Sequence, residues 1–210
     1  KDVLELIRAT IKEHKRIIFN GDGYSKAWEQ EAAKRGLLNL RSTVDALPYW
    51  RTKENIELFE RHGVYNCAEI NCRADISLEN YSKTIHIEAL TLLEMVKRDV
   101  IPAISAYEGE LCNTVVKKRS VSDKINCDAE TEIIEKLAAF NEHLNRLVKE
   151  LETAVDKSQA TADLLARAQT YCNKVLFIMD NIRHITDEAE TIVAREYWPY
   201  ATYGDILFKI

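Results

Sequence analysis

Residues 66 to about 111 constrain the fold more than any other part of the chain. Their apolar side chains recur three or four positions apart, which is typical of one face of an α-helix. These positions are Ile70, Tyr81, Ile85, Ala89, Leu92, Val96, Val100, Ile104, Tyr107 and Leu111. At about 1.5 Å per residue, such a helix is about 70 Å long. Because no small globular domain surrounds a helix of that length, the pattern predicts an all-α fold, an elongated antiparallel bundle with this helix as its spine.

Local signals mark the start of the spine and a disturbance near its middle. Asn66 can cap the first turn, Glu69 completes a capping box, and Gly63 ends the preceding element. Pro102 lacks a backbone N–H, so we expect it to kink the helix.

Two further helices are predicted after the spine. Residues 113–127 are polar and are expected to form a mobile tip. Asp128 opens a second helix with a heptad-like apolar seam, a break is expected at 156–160, and a third helix follows through Ile192. Spine, second helix and third helix together predict a bundle over residues 66–196.

The regions on either side of this bundle differ from it in composition. Residues 1–65 predict short helices and loops, including a helix over 2–17 and a turn over 19–25 whose two glycines permit positive φ. Residues 37–51 are expected to be irregular, since Pro48 disfavours helix at Leu47. The tail, 197–210, is too rich in aromatic side chains to stay free. It is expected to dock on the bundle or on a neighbouring subunit.

Composition and charge exclude several classes of function. The net charge of −5 argues against non-specific binding to nucleic acid or to an anionic membrane. No apolar run approaches the roughly 20 residues that cross a bilayer, and neither a membrane span nor a signal peptide is expected from this sequence. The five cysteines are scattered and odd in number, which suits a reducing compartment, so a soluble, cytoplasmic chain is expected. It starts with Lys1 rather than Met, which indicates processing or excision from something longer.

No spacing in the chain predicts catalysis. A carboxylate-bridged metal centre in a bundle needs Glu-x-x-His. The residues three before the five histidines are Ile11, Phe59, Lys83, Phe140 and Asn181. The run at 20–23 lacks the continuation of a phosphate-binding loop, and no nucleophile motif is found. The residues therefore predict no catalytic, cofactor-binding or metal-binding group, and any catalytic role of the chain is invisible in its sequence.

Several short motifs are unusual in combination. In the first third they read Phe19-Asn20-Gly21-Asp22-Gly23-Tyr24-Ser25, Trp28, Glu31-Ala32, Arg35-Gly36-Leu37-Leu38-Asn39 and Asp45-Ala46-Leu47-Pro48. Later ones read Leu58-Phe59, His62-Gly63-Val64, Glu79-Asn80-Tyr81, Lys83-Thr84-Ile85, Ile87-Glu88-Ala89, Trp198-Pro199 and Tyr203-Gly204-Asp205-Ile206-Leu207-Phe208. In these motifs the chain resembles the C-terminal region of type III glutamine synthetases.

This resemblance implies a parent enzyme that ligates ammonia to glutamate using ATP and Mg²⁺ or Mn²⁺, through a γ-glutamyl phosphate. It implies a homo-oligomer, a dodecamer of two stacked hexameric rings. The family's metal-binding and phosphate-binding residues belong to an upstream catalytic domain of the same polypeptide. No motif here matches them, so the resemblance transfers no catalytic residue to this chain.

Two hypotheses about function follow. In the first, the chain is the helical C-terminal portion of such a synthetase and supports its architecture and oligomer. Its candidate junction and interface residues are then Asn20, Gly21, Asp22, Gly23, Tyr24, Asp45, Pro48, Trp198, Pro199 and Tyr203. In the second, the chain is a free-standing helical module for protein–protein interaction.

Overall fold

Helices make up most of the protein in the computed structural model, which describes residues 2–208. They are α1 (Asp2–His14), α2 (Lys26–Lys34), α3 (Thr43–Trp50), α4 (Lys53–Arg61), α5 (Cys67–Met95), α6 (Ile101–Val121), α7 (Asp128–Ala160), α8 (Leu164–Thr170), α9 (Leu176–Glu190) and α10 (Tyr203–Leu207). No strand occurs among these described residues, so the all-α prediction is confirmed. None of the helices within 2–208 has the length and apolarity to cross a membrane. The chain divides into two compact units, 1–46 and 47–210, and each is described by itself.

The spine is helical without a break from Cys67 to Val121, a run of 55 residues. Its capping box is formed as predicted. The Glu69 amide donates to Asn66 Oδ1 over 2.9 Å, and the Asn66 amide donates to Glu69 Oε2 over 2.8 Å. Gly63 has a φ of +63°, the left-handed conformation that ends α4.

The N-cap of the spine provides a first test of this fold. Replacing Asn66 with alanine removes the side-chain acceptor for the Glu69 amide, so we expect the free energy of unfolding to fall by about 1 kcal/mol. Urea unfolding followed by circular dichroism measures this. The same substitution at Asn113, exposed in the middle of α6, is the matched control and should leave stability unchanged or slightly raised, since alanine favours helix interiors. Equal losses of unfolding free energy at both positions would contradict the stabilising role of the Asn66 cap.

The spine passes Pro102 through a π-helical turn at Val96–Val100. There the Ile101 amide donates to the carbonyl of Val96, five residues back, instead of the usual four. Because Pro102 has no N–H to give, the wider turn absorbs the missing hydrogen bond without ending the helix. Val96 and Val100 are both buried, so the wide turn faces the core.

The spine ends later than predicted, and the predicted mobile tip is wrong over 113–121. Only residues 122–127 connect α6 to α7. The polar composition of 113–121 does not oppose a helix, and Lys118 forms an ion pair with Glu130 of α7. This contact holds the last turn of α6 against the second helix.

Helix α7 runs antiparallel to the spine. Lys118 pairs with Glu130, and Lys97 pairs with Glu152, so positions rise on one helix as they fall on the other. The predicted seam is buried at Leu137, Leu144 and Leu151. Together with the π turn at Tyr171–Val175 and α9, these helices enclose one apolar core.

The predicted break at 156–160 is wrong, because α7 continues to Ala160. Val155 and Ser158 are buried, so this last turn still packs against the bundle, and the Ser158 hydroxyl donates to the Ala154 carbonyl. The reversal comes at 161–163. There Asp163 caps α8, its Oδ1 accepting from the Ala166 amide over 2.7 Å.

The prediction that residues 37–51 are irregular is wrong over α3, which contains Pro48. The Ser42 hydroxyl accepts from the Asp45 amide and fixes the first turn. Only two helical residues follow Pro48, so the missing backbone N–H of the proline costs this helix little stability. Val44 and Leu47 are both buried, and that burial favours the helical turn that presents them.

Candidate functional site

The turn in the first unit is fixed by its own hydrogen bonds. The Ser25 amide donates to the Asp22 carbonyl over 3.2 Å, and the Tyr24 amide donates to Asp22 Oδ1 over 2.9 Å. Ser25 Oγ accepts from the Trp28 amide and so caps α2. The turn therefore leads directly into a helix, with a defined geometry.

Gly21 provides space in this turn rather than a special backbone angle. Among the described residues, Gly36 and Gly63 have positive φ, while Gly21 and Gly23 do not, contrary to the prediction. A Cβ at Gly21 would lie 2.5 Å from Cζ of Phe19. That ring packs on Trp28 with centroids 4.6 Å apart, so Gly21 makes room for an aromatic pair.

Arg35 holds the turn against α2. Its guanidinium donates to the carbonyls of Arg16 and Ile18 over 2.6 and 3.0 Å, and to Glu31 Oε1 over 2.7 Å. It also lies 6.0 and 5.9 Å from the centroids of the two aromatic rings. The hydrogen bond from Arg35 lowers the pKa of Glu31. One side chain thus fixes the path of the chain between α1 and α2.

The first unit exposes much apolar surface around this turn. Tyr24 is fully exposed, and Leu37 and Leu38 are exposed near it. No residue of α1 is buried. Its exposed apolar stripe consists of Val3, Leu4, Leu6, Ile7 and Ile11, and Ile17 and Ile18 are exposed just after the helix. A stripe of this kind is typical of a surface that packs on protein.

The aromatic tail begins on the bundle of the second unit. Trp198 is buried, 9% exposed, and belongs to the same core as the spine. The Tyr197 ring packs on Tyr107 of the spine with centroids 5.5 Å apart. The Tyr200 hydroxyl donates to Asp99 Oδ2 over 2.8 Å. Contacts of three side chains, those of Tyr197, Trp198 and Tyr200, therefore fasten residues 197–200 to the spine.

The end of the tail is different. Pro199 is exposed. Ile206 and Leu207 of α10 are 66% and 69% exposed, and Phe208, which follows the helix, is 81% exposed. The backbone of Tyr203 opens α10, and its side chain lies outside the described part of the structure. The tail thus combines an anchored half with an exposed apolar half.

The Tyr200 contact makes the docking of the tail sensitive to alkali. Burial, together with the nearby Asp99 carboxylate, raises the pKa of Tyr200 to about 12 from its ordinary value of 10.0. A raised pKa means that this stabilisation is present below pH 10 and is lost as the pH rises towards 12. We expect urea unfolding curves to show that loss, and to show less of it in Tyr200→Phe. An unchanged alkaline slope in the variant would contradict this account.

The ten candidate residues are distributed over both units. Asn20, Gly21, Asp22, Gly23, Tyr24 and Asp45 belong to the first, and Pro48, Trp198, Pro199 and Tyr203 to the second. Within the second unit they do not form one site. Arg51, three residues after Pro48, pairs with Asp75, whereas Trp198 lies by Val100. Those spine positions are about 25 residues, or about 37 Å, apart.

The sequence did not predict a polar cluster around a buried tyrosine. Tyr171, in the second π turn, is fully buried. Its hydroxyl accepts from Gln159 Nε2 over 3.0 Å and lies 3.0 Å from His86 Nδ1 on the spine. Burial raises the pKa of Tyr171. Because His86 and Tyr171 are 85 positions apart, no local pattern could have paired them.

The residues described do not fit the divalent metal that the family resemblance implies. No three His, Cys, Asp or Glu side chains within 2–208 gather closely enough to hold a metal ion. No step of a reaction is therefore derived through such an ion in this chain.

Comparisons with known proteins all match this chain to one family. The family model for the glutamine synthetase C-terminal domain matches residues 2–119. The chain is 40% identical over 208 residues to a glutamine synthetase of Butyrivibrio fibrisolvens, covering 99% of this chain and 30% of that protein. It is 30% identical to the type-3 glutamine synthetase of Dictyostelium discoideum, covering 97% of this chain and 28% of that protein. It is 24% identical to a glutamine synthetase of Bacteroides fragilis, with 98% and 29% covered.

These relatives confirm the resemblance found in the motifs, and they extend it through the second and third bundle helices, where the motifs are sparse. The chain spans less than a third of the length of each of them. The family model covers more than half of the chain. The chain therefore belongs to the glutamine synthetase C-terminal domain family.

Proposed function

We propose that this chain is the helical C-terminal portion of an ATP-dependent glutamate–ammonia ligase, and that it supports the architecture of that enzyme rather than its chemistry. The observation that carries the proposal is the coverage: 97–99% of this chain aligns with 28–30% of each relative. The groups that react with ATP, Mg²⁺ or Mn²⁺, glutamate and ammonia then belong to the remaining part of the polypeptide. The five free thiols support a cytoplasmic location for the enzyme.

The first unit is proposed as the junction with the catalytic domain of the same polypeptide. Its support is the exposed stripe on α1, which includes Ile7 and Ile11 and buries nothing within the described residues. Tyr24, fully exposed on a turn of fixed geometry, adds a large side chain suited to insertion into another surface. Asp45 and Pro48 both lie in α3, Asp45 in the first unit and Pro48 at the start of the second, and they are assigned to the same junction.

The second unit is proposed as a support for the oligomer, which in this family is expected to be a dodecamer of two hexameric rings. The bundle supplies a rigid body, because the helices enclose a continuous apolar core. The exposed end of the tail, Ile206 to Phe208, supplies an apolar contact for a neighbouring subunit.

The junction is tested in the full-length product of the reading frame that encodes this chain. Replacing residues 20–23, Asn-Gly-Asp-Gly, with four alanines removes the Asp22 acceptor and places a Cβ against the Phe19 ring. We expect glutamine formation from glutamate, ammonia and ATP to fall at least about tenfold, since misplacing groups by about 1 Å costs about a hundredfold in rate.

The matched control replaces residues 122–125 of the connection, Ser-Asp-Lys-Ile, with alanines; the last three are exposed and Ser122 is half-buried. This control should keep both its activity and its sedimentation coefficient. Full activity in the 20–23 variant would count against the junction. Equal loss in both variants would show a general sensitivity of the fold and would also count against it.

A further inference from the structure

A cavity of about 340 Å³ lies between the tail and the spine in the second unit. Met95, Val96 and Val100 form its spine wall, and Trp198, Tyr200 and Ile206 form its tail wall. This volume is at the lower end of the roughly 300–1,000 Å³ of small-molecule sites. It is separate from the turn and the stripe proposed as the junction, and it shares Ile206 with the tail end proposed as a subunit contact.

The walls of this cavity are mainly apolar. Val96 and Val100 are each 1% exposed, and Trp198 is 9% exposed. Protein interiors rarely leave voids larger than a water molecule, and an apolar void gives water few hydrogen-bond partners. The cavity therefore favours an occupant whose body is apolar.

The polar residues at the rim come from α9 and carry a net negative charge. Arg183 Nε donates to Asp187 Oδ1 over 2.6 Å, so these two charges offset each other. Glu190 also lines the cavity, and its carboxylate has no ion pair among the described residues. Among the residues that the structure describes, the rim thus offers one uncompensated carboxylate.

The aromatic rings of the tail wall favour a cation, as the Glu190 carboxylate does. The Trp198 and Tyr200 rings meet edge to face, with centroids 6.4 Å apart at 77°. The Tyr200 hydroxyl is committed to Asp99, which leaves its ring as the group available to an occupant. Aromatic faces attract cations, and they do so most strongly when the cation is an organic ammonium that is easily desolvated.

From the apolar walls, the aromatic pair and the uncompensated carboxylate, we infer that this cavity binds a small organic ammonium ion with an apolar body. The apolar body fills the space by Val96 and Val100. The cationic head lies by the aromatic rings and Glu190. A neutral apolar molecule would match the walls but not the rim, and an anion would be repelled by Glu190.

The inference is tested by calorimetric titration of the chain with three probes of one chain length: octyltrimethylammonium, 1-octanol and octyl sulfate. We expect saturable one-to-one binding of the ammonium, with an affinity about tenfold higher than that of the alcohol. This ratio is what a partly desolvated cation–π contact contributes. Octyl sulfate should bind more weakly than the alcohol.

Two variants assign the binding to this cavity. Glu190→Gln should weaken the ammonium several-fold and leave the alcohol unchanged, whereas Glu188→Gln, on an exposed face of the same helix, should change neither. Met95→Trp, which fills the cavity from its rim, should abolish binding of all three probes. Circular dichroism verifies that each variant is folded.

Equal binding of the three probes would overturn the inference, and so would an ammonium affinity unaffected by Glu190→Gln. Absence of saturable binding would also overturn it. If that absence came with concentration-dependent dimers in sedimentation, the cavity would belong to contacts between copies of the chain. Loss of the proposed ligase function would leave these binding results unchanged, so the two proposals fail separately.

Discussion

Replacing Trp198 with alanine should lower the free energy of unfolding of this chain by about 3–5 kcal/mol. The indole is 9% exposed and belongs to the same apolar core as Val96 and Val100 of the spine. Its removal would enlarge the cavity beneath the tail and take away the largest of the contacts that fasten residues 197–200. The effect should therefore combine lost burial with detachment of the tail.

The control for Trp198 is another large aromatic residue that lies outside the core. Phe177 of α9 is 64% exposed, so Phe177→Ala should change the free energy of unfolding by under about 1 kcal/mol. Urea unfolding followed by circular dichroism measures both variants. Similar small losses in the two would contradict the account, because they would mean that the tail is not part of the folded core.

Replacing Leu144 with alanine should cost about 2–5 kcal/mol. Leu144 is fully buried in the middle of α7, where the seam of the second helix meets the core. A cavity at that point separates α7 from its neighbours, and the tightly packed helices on either side leave little freedom to collapse into it. The variant should keep its helix content at low denaturant concentration and unfold at a lower urea concentration and a lower temperature.

The same substitution at an exposed position is the matched control for Leu144. Leu90 lies on the spine and is 47% exposed, so Leu90→Ala should cost under about 1 kcal/mol. Thermal and urea unfolding compare the pair. If Leu90→Ala proved as costly as Leu144→Ala, the burial pattern of the bundle would be wrong.

The spine and its start could be predicted because the signals are local. A capping box needs only residues 66 and 69, and one helical face is visible in the spacing of apolar residues. The ends of the helices were predicted less well. Polar residues at 113–121 and 156–160 stay helical through the ion pair of Lys118 with Glu130 and the burial of Val155 and Ser158, which are contacts between distant parts of the chain.

The predicted irregular segment around Pro48 failed for a related reason. The preference against helix before proline is a local cost, and it was outweighed by the Ser42 cap and by burial of Val44 and Leu47. For Gly21, a correctly located turn was predicted with the wrong role for the glycine. Its role is to make space for Phe19 rather than to adopt positive φ, and only the folded turn shows which of the two applies.

The contacts of the candidate site could be predicted only in part. The aromatic richness of residues 197–208 indicated docking somewhere, but the partners of the tail, Tyr107 and Asp99, are about 90 and 100 positions away in sequence. Pairs at such distances leave no periodic signal in a single sequence. The contacts of Arg35 with the backbone carbonyls of Arg16 and Ile18 also leave no signal, because a backbone acceptor depends on no particular residue type.

The central claim is that this chain provides architecture to a larger ligase and no reacting group of its own. It is tested most directly by sequencing the coding DNA upstream of the Lys1 codon, and by assaying glutamine formation by the whole product and by residues 1–210 alone. The account predicts that the frame continues for several hundred codons, that the whole product forms glutamine, and that the chain alone is folded and inactive. An initiator codon directly before Lys1 would contradict it and favour a free-standing interaction module, and ligase activity in the chain alone would contradict it equally.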